Sequence, residues 1–245
     1  MAARAQLVVD MTAQCLRVGT ATLVADSCGV AYWPAQEMLL VADLHLEKAA
    51  HFAGRGSFLP PYDTRETLTR LSRAIARYAP RHVVALGDSF HSTHGAYGIT
   101  GDDLDMLLAL QDGRTWTWIT GNHDPDLAGR VGGVLATSLE IDGLVLRHEP
   151  DCGDPRPQIA GHLHPVARLA RAGTSVRRRC FVSDGERVVM PAFGAFTGGL
   201  DILDAAFAPV FPQGTQSVLM LGDAGLYPVP RHLLVAAARG APSYL

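Results

Sequence analysis

Residues 39–45 read LLVADLH, an apolar run that ends in Asp43 and His45. A run with no polar face suits a parallel strand covered on both sides. Open α/β sheets place their sites at the carboxyl ends of such strands, and two possible metal ligands leave the chain there. The pattern then recurs. Apolar runs close on ligand-type residues in VVALGDSFH, WTWITGNHD, LVLRHEP and QIAGHLHP.

Outward from this stretch, residues 1–31 read as a β-rich lead-in. Strand composition runs from Val18 to Val24 and from Val30 to Trp33, broken by Asp26-Ser27 and Gly29. Tyr32 and Trp33 are expected in the core. After the first ligand strand, Gly54, Gly56 and Pro60-Pro61 mark LEKAAHFAGRGSFLPPYD as a loop. It starts beside the ligands, so His51 and Arg55 either touch substrate or are plain surface residues. Asp63 or Thr64 caps a helix reaching about Ala79, with Leu68, Leu71, Ile75 and Tyr78 as its apolar stripe. Arg70, Arg73 and Arg77 are expected on a solvated face. A second helix, GDDLDMLLALQD, is capped near Asp102. Trp116 and Trp118 alternate along the third strand and should pack on covering elements.

The second half changes rhythm. An Asp-Gly turn joins two strands in LEIDGLVLRHEP, and SDGE makes another hairpin turn. Strands alternating with helices, then strands alone, indicate a layered α/β fold in a single domain over residues 1–245. Residues 32–210 form a core with every site motif, and residues 211–245 a C-terminal tail.

Composition sets bounds. The chain has 245 residues and a formal charge of −3, so no global basic field advertises nucleic acid, although a local patch can suffice. Of 21 basic residues all but Lys48 are arginine, through compositional bias or because arginine suits bidentate phosphate contacts. Cys15, Cys28, Cys152 and Cys180 are scattered without a CxxC, which makes a reducing cytoplasm the default. No signal peptide and no membrane span are visible.

The strand ends together offer Asp43, His45, Asp88, Asn122, His123, His148, His162 and His164. All are oxygen or imidazole donors, which favour manganese, iron or zinc. A single zinc needs three or four ligands. A set this large suits two metals sharing a carboxylate, and Asp88, alone on its strand end, is the natural bridge. Such a pair stabilises both the attacking and leaving oxygens of phosphoryl displacement. A lone histidine at a strand end is usually a polar cap; that reading stays ahead for His91 and His94 but fits the whole set poorly.

Asp43-Leu44-His45, Gly87-Asp88, Gly121-Asn122-His123-Asp124, His148 and Gly161-His162-Leu163-His164 resemble, in order, the motif series of the calcineurin-like metallophosphoesterases. The resemblance implies a four-layer α-β-β-α sandwich of two mixed sheets flanked by helices. It implies one metal on Asp43, His45, Asp88 and His164, and another on Asp88, Asn122, His148 and His162. His123 would lie over the scissile phosphate, as charge stabiliser or acid, with Asp124 orienting it. The protein Ser/Thr phosphatase wording, GDxxDRG and GNHE, is not what this chain carries.

The phrases YWPAQEMLLVADLHLEKAAHFA, LPPYDTRETL, VVALGDSFH and PAFGAFTGGLDILD are similar to the bacterial ligase-associated DNA damage response endonucleases. That likeness spans roughly residues 32–204. It implies a manganese-dependent nuclease acting on single-stranded DNA beside a DNA ligase, a helicase and an exonuclease. A phosphate track is offered by Arg168, Arg171, Arg177, Arg178 and Arg179, or else these form a solvated charge run. Phe193 and Phe196 either stack bases or pack in the core. The rival readings are a hydrolase of a small phosphoester and a non-catalytic repair scaffold.

Overall fold

The computed structural model describes residues 11–53, 62–92, 95–122, 129–171 and 173–236. The chain opens with strands β1 (Ala13–Val18), β2 (Ala21–Asp26), β3 (Ala31–Trp33) and β4 (Met38–Val41), each antiparallel to the next. A turn with Gly19 at φ 55° divides β1 from β2, so the strand composition from residue 18 to residue 24 belongs to two strands.

Helices α1 (Lys48–Ala53) and α2 (Asp63–Tyr78) follow, then β5 (His82–Leu86), α3 (Gly95–Gly98), α4 (Gly101–Gln111), β6 (Thr115–Ile119) and β7 (Val134–Ala136). The segment expected as a loop after His45 thus begins with a short helix. β4 through β7 are parallel neighbours, and the first sheet has the order β1-β2-β3-β4-β5-β6-β7.

The second half supplies β8 (Ser138–Ile141), β9 (Leu144–Arg147), β10 (Gln158–Ala160), β11 (Pro165–Arg171), β12 (Thr174–Ser183), β13 (Arg187–Val189) and β14 (Leu200–Asp201). The stretch read as a tail adds β15 (Ser217–Gly222) and β16 (Gly225–Val229). β15 pairs with β12 and β16 pairs with β15, which makes them part of the second, nine-stranded sheet. The Asp-Gly and SDGE turns lie where expected, between β8 and β9 and between β12 and β13.

Side-chain alternation explains the layers. Leu40, Val84, Leu86 and Ile119 face one way and meet Leu144, Leu146, Ile159, Phe181 and Met190 of the second sheet. Leu39, Val41, Val83, Ala85, Trp116 and Trp118 face the other way and meet Leu68, Leu71 and Ile75 of α2 and Leu107 of α4. The first sheet is therefore covered on both faces, as its continuous apolar strands require. The outer face of the second sheet packs under Ile202, Phe207, Val210 and Phe211. This cover is irregular chain with a 3-10 turn at Ala205–Phe207; all α-helices among the described residues lie before residue 112. The molecule is an α/β sandwich of two mixed sheets flanked by few helices.

Candidate metal centre

The carboxyl ends of parallel strands from both sheets converge. β4 delivers Asp43 and His45, β5 delivers Asp88, and β6 leads to Asn122. From the second sheet the parallel neighbours β9 and β10 deliver His148, then His162 and His164. Two groups form: Asp43, His45 and His164, and Asp43, Asp88 and His148, with the ligand atoms of each within 4.8 Å of one another. The residue common to both groups is Asp43, where the sequence singled out Asp88 as the bridge.

The contacts tie in the remaining ligands. Nε2 of His45 lies 3.2 Å from Nε2 of His164, and Nε2 of His164 is 3.3 Å from Oδ1 of Asp43. Nδ1 of His162 lies 3.2 Å from Nε2 of His148 and 3.4 Å from Nδ2 of Asn122. Nε2 of His148 is 3.5 Å from Oδ1 of Asp88. Asp43 and Asp88 are buried. Imidazole nitrogens and carboxylates crowded this closely, away from water, are costly unless cations or protons sit between them. A divalent ion answers that need, so the donor set fits a metal.

His148 shows how the surroundings prepare a ligand. Its Nδ1 is 3.0 Å from the carbonyl oxygen of Leu86, an acceptor, so Nδ1 carries the proton. That leaves the Nε2 lone pair facing the centre. His162 is held below its ordinary pKa by burial first and by His148 second, which also favours the neutral, ligating form. The Asp43 carboxylate accepts from the backbone N–H of His162 at 3.1 Å.

The backbone is bent to aim these groups. Asp43, His45, Asp88, His162 and His164 all have positive φ, between 44° and 69°. Such values are uncommon outside glycine and concentrate at functional sites. The motif glycines make room: a Cβ at Gly87 would sit 2.3 Å from Nδ1 of His148, and one at Gly161 would sit 2.5 Å from Oδ2 of Asp43.

Beside the ligands lies a cavity of about 440 Å³, lined also by Lys48, Phe52, His91, Leu163 and Leu200. Nδ1 of His91 is 3.3 Å from Nδ1 of His45, so this histidine joins the cluster from the loop after β5. The sequence favours a polar cap for His91 and assigns no role to Lys48 or Phe52. The signal available was their short distance in sequence from His45 and Asp88.

The arginines divide. Arg177 and Arg178 are exposed; Arg177 donates to the carbonyl of Gly199, another residue of the cavity wall. Arg179 turns inward and donates to the carbonyls of Ala192 and Phe193, and burial lowers its pKa to about 10. Arg70 also leaves the solvated face expected for it. It donates to the carbonyls of Phe193 and Cys28 and lies 4.5 Å from the centre of the Phe193 ring. Phe193 is buried, whereas Phe196 is exposed beside Tyr62, with ring centres 6.2 Å apart. His123, Asp124, His94 and Arg55 lie outside the described residues.

No known family profile matches the chain, and no curated protein does. Among solved structures, Pseudomonas putida nuclease MPE is similar over 89% of this chain and 100% of its own, at 28% identity and a TM-score of 0.69. The phosphoesterase YfcE from E. coli is 15% identical over 78% of this chain and 97% of its own, at a TM-score of 0.40. Two facing sheets with oxygen and imidazole donors at their joined strand ends, together with the likeness to nuclease MPE, agree with the calcineurin-like metallophosphoesterase superfamily. The chain is a metal-dependent phosphoesterase, a hydrolase. No helix among the described residues is long and apolar enough to cross a membrane.

Proposed function

We propose that this phosphoesterase is a two-metal phosphodiesterase that cuts within single-stranded DNA, in cytoplasmic DNA repair, with manganese as its working ion. The observation that carries the reading is the joint cluster of Asp43, His45, Asp88, His148 and His164, with the exposed Arg177 anchored on the wall of the adjoining cavity. The likeness to nuclease MPE supports the choice of a nucleic acid.

In this reading Asp43, His45, Asp88 and His164 hold one ion, and Asp88, Asn122, His148 and His162 hold the other. Ions bound there neutralise phosphoryl oxygens and acidify a water. His123 and Asp124 take the roles the resemblance implies, His123 stabilising the charge of the scissile phosphate or protonating the leaving oxygen and Asp124 supporting it. Arg177 and Arg178 contact the phosphate backbone; these contacts are salt-sensitive and indifferent to sequence. Arg179, drawn inward, supports the loop carrying Phe193 instead. A DNA ligase, a helicase and an exonuclease are the partners expected in the same repair system.

The test incubates metal-free protein with a circular single-stranded DNA, with and without manganese, next to a nitrophenyl phosphodiester. Asp88→Ala controls for contaminating nuclease. Manganese-dependent cutting of the circle, lost in the variant, is the expected result. Hydrolysis of the small diester with the circle untouched would move the assignment to a small-molecule phosphodiesterase.

A further inference from the structure

The cavity beside the metal ligands is lined by two unlike sets of residues. One is His45, Asp88 and His164; the other is Phe52, Leu163 and Leu200. A phosphomonoester needs only the first. A nucleotide has a charged phosphate next to a flat, largely apolar base, and about 440 Å³ lies in the ordinary range for a small-molecule site.

Lys48 lines this cavity as well and is 5% exposed. Its ammonium nitrogen lies 5.9 Å from the centre of the Phe52 ring, and among the described residues it makes no hydrogen bond or ion pair. An ammonium on a largely buried side chain gains from an anionic partner. Burial lowers its pKa and Asp63 opposes that, so an anion in the cavity would further favour the charged form. The chain uses arginine at its other basic positions. A compact ammonium suits an enclosed wall where five guanidinium donors would be harder to satisfy.

Phe52 is held in place for stacking. Its ring lies parallel-displaced on His91, at 5.4 Å between centres and 27° between planes, and edge-on to His51 at 5.8 Å. His91 in turn touches His45. Through His91 the Phe52 ring adjoins the metal-ligand cluster.

Resting on the phosphodiesterase reading above, we propose that Lys48 and Phe52 form a nucleotide subsite. The Lys48 ammonium takes a phosphate oxygen of the strand, and the Phe52 ring stacks on the base next to the cut.

The test uses Lys48→Gln, Lys48→Arg and Phe52→Leu in the full chain. KM and kcat are measured with manganese on a single-stranded oligonucleotide, on an abasic oligonucleotide of equal length and on bis(nitrophenyl) phosphate. Fluorescence anisotropy gives the binding of both oligonucleotides to metal-free protein. Metal content and the thermal midpoint accompany each variant. Phe52→Leu is expected to weaken the base-containing strand roughly tenfold and leave the abasic strand unchanged. Lys48→Gln is expected to weaken both strands and lower the salt slope of binding by about one, with Lys48→Arg recovering part of the loss. Metal content should match the wild type throughout.

Equal effects of Phe52→Leu on both strands would overturn the stacking role. An unchanged salt slope, or a loss of metal, in Lys48→Gln would overturn the phosphate contact. Wild-type protein that cuts the oligonucleotide while both variants match it sinks the subsite alone. Wild-type protein that cleaves no diester at all sinks the phosphodiesterase reading.

Discussion

Gly121 and Asp88 lie so close that a Cβ on the glycine would stand 2.3 Å from Oδ1 of the carboxylate and 2.2 Å from its backbone nitrogen. Both are motif residues just past the ends of the adjacent parallel strands β5 and β6. The glycine before Asn122 is therefore a clearance for a ligand delivered by another strand. Gly121→Ala should push Asp88 out of register by a fraction of an ångström while the buried strands still fold. Turnover should fall about 100-fold, as a misplaced site costs. Metal content by atomic spectroscopy, beside an unchanged circular-dichroism spectrum, checks this.

On the proposed two-metal assignment, Asp88→Ala should abolish activity and leave fewer than two metals per chain, because it would remove the shared carboxylate. Asp43, which neighbours both ligand groups, offers the comparison. If Asp88→Ala keeps two metals and Asp43→Ala does not, the bridge belongs to Asp43.

His123→Ala should retain both metals and lose most turnover, about 10²–10⁴-fold for a missing acid. A variant that drops a metal would place His123 among the ligands.

Arg179→Ala and Arg178→Ala should separate. Arg179 satisfies the carbonyls of Ala192 and Phe193, and its loss should cost about 1–3 kcal/mol in chemical denaturation. Arg178 is exposed, its nearest acid Asp223 at 3.5 Å. Its loss should leave stability alone and weaken DNA binding, with a salt slope smaller by about one. A stability loss confined to Arg178→Ala would reverse the assignment.

The thiols should react in two classes. Cys15 and Cys152 are exposed. Burial, then the charge of Asp26, pushes the Cys28 thiol up to about 12, and burial raises Cys180 well above its ordinary range. The thiolate is the reactive form, and at pH 8 a pKa near 12 leaves roughly one part in 10⁴ ionised. A thiol reagent at pH 8 should label two cysteines quickly in the folded chain and four after denaturation. Rapid labelling of Cys28 would contradict its burial.

Much of the site was legible because its chemistry is local. Asp43, His45, Asp88, His148, His162 and His164 each follow a short apolar strand, and both the strand and its last polar residue are written in consecutive letters. The α2 helix was equally readable from its apolar spacing and acidic first turn, Asp63 and Glu66. Arg70 and Arg179 were not. Their sequence neighbourhoods look like solvated charge runs, and only the packing of the Phe193 loop between α2 and β12 supplies carbonyls for them. Short strands were legible in the tail, but not the pairing of β15 with β12, which lies more than thirty residues upstream, with β16 paired in turn to β15.

The amino-acid sequence by itself determined the strand ends, their donor types and the metal chemistry those donors favour, since periodicity and residue type act over a few neighbouring positions. The tertiary structure decided which donors meet. It placed Asp43 against both ligand groups, set Gly87, Gly121 and Gly161 against ligands from other strands, and brought Lys48, Phe52 and His91 to one cavity wall. Those relations depend on two sheets packing face to face, which fixes distances between residues more than a hundred positions apart.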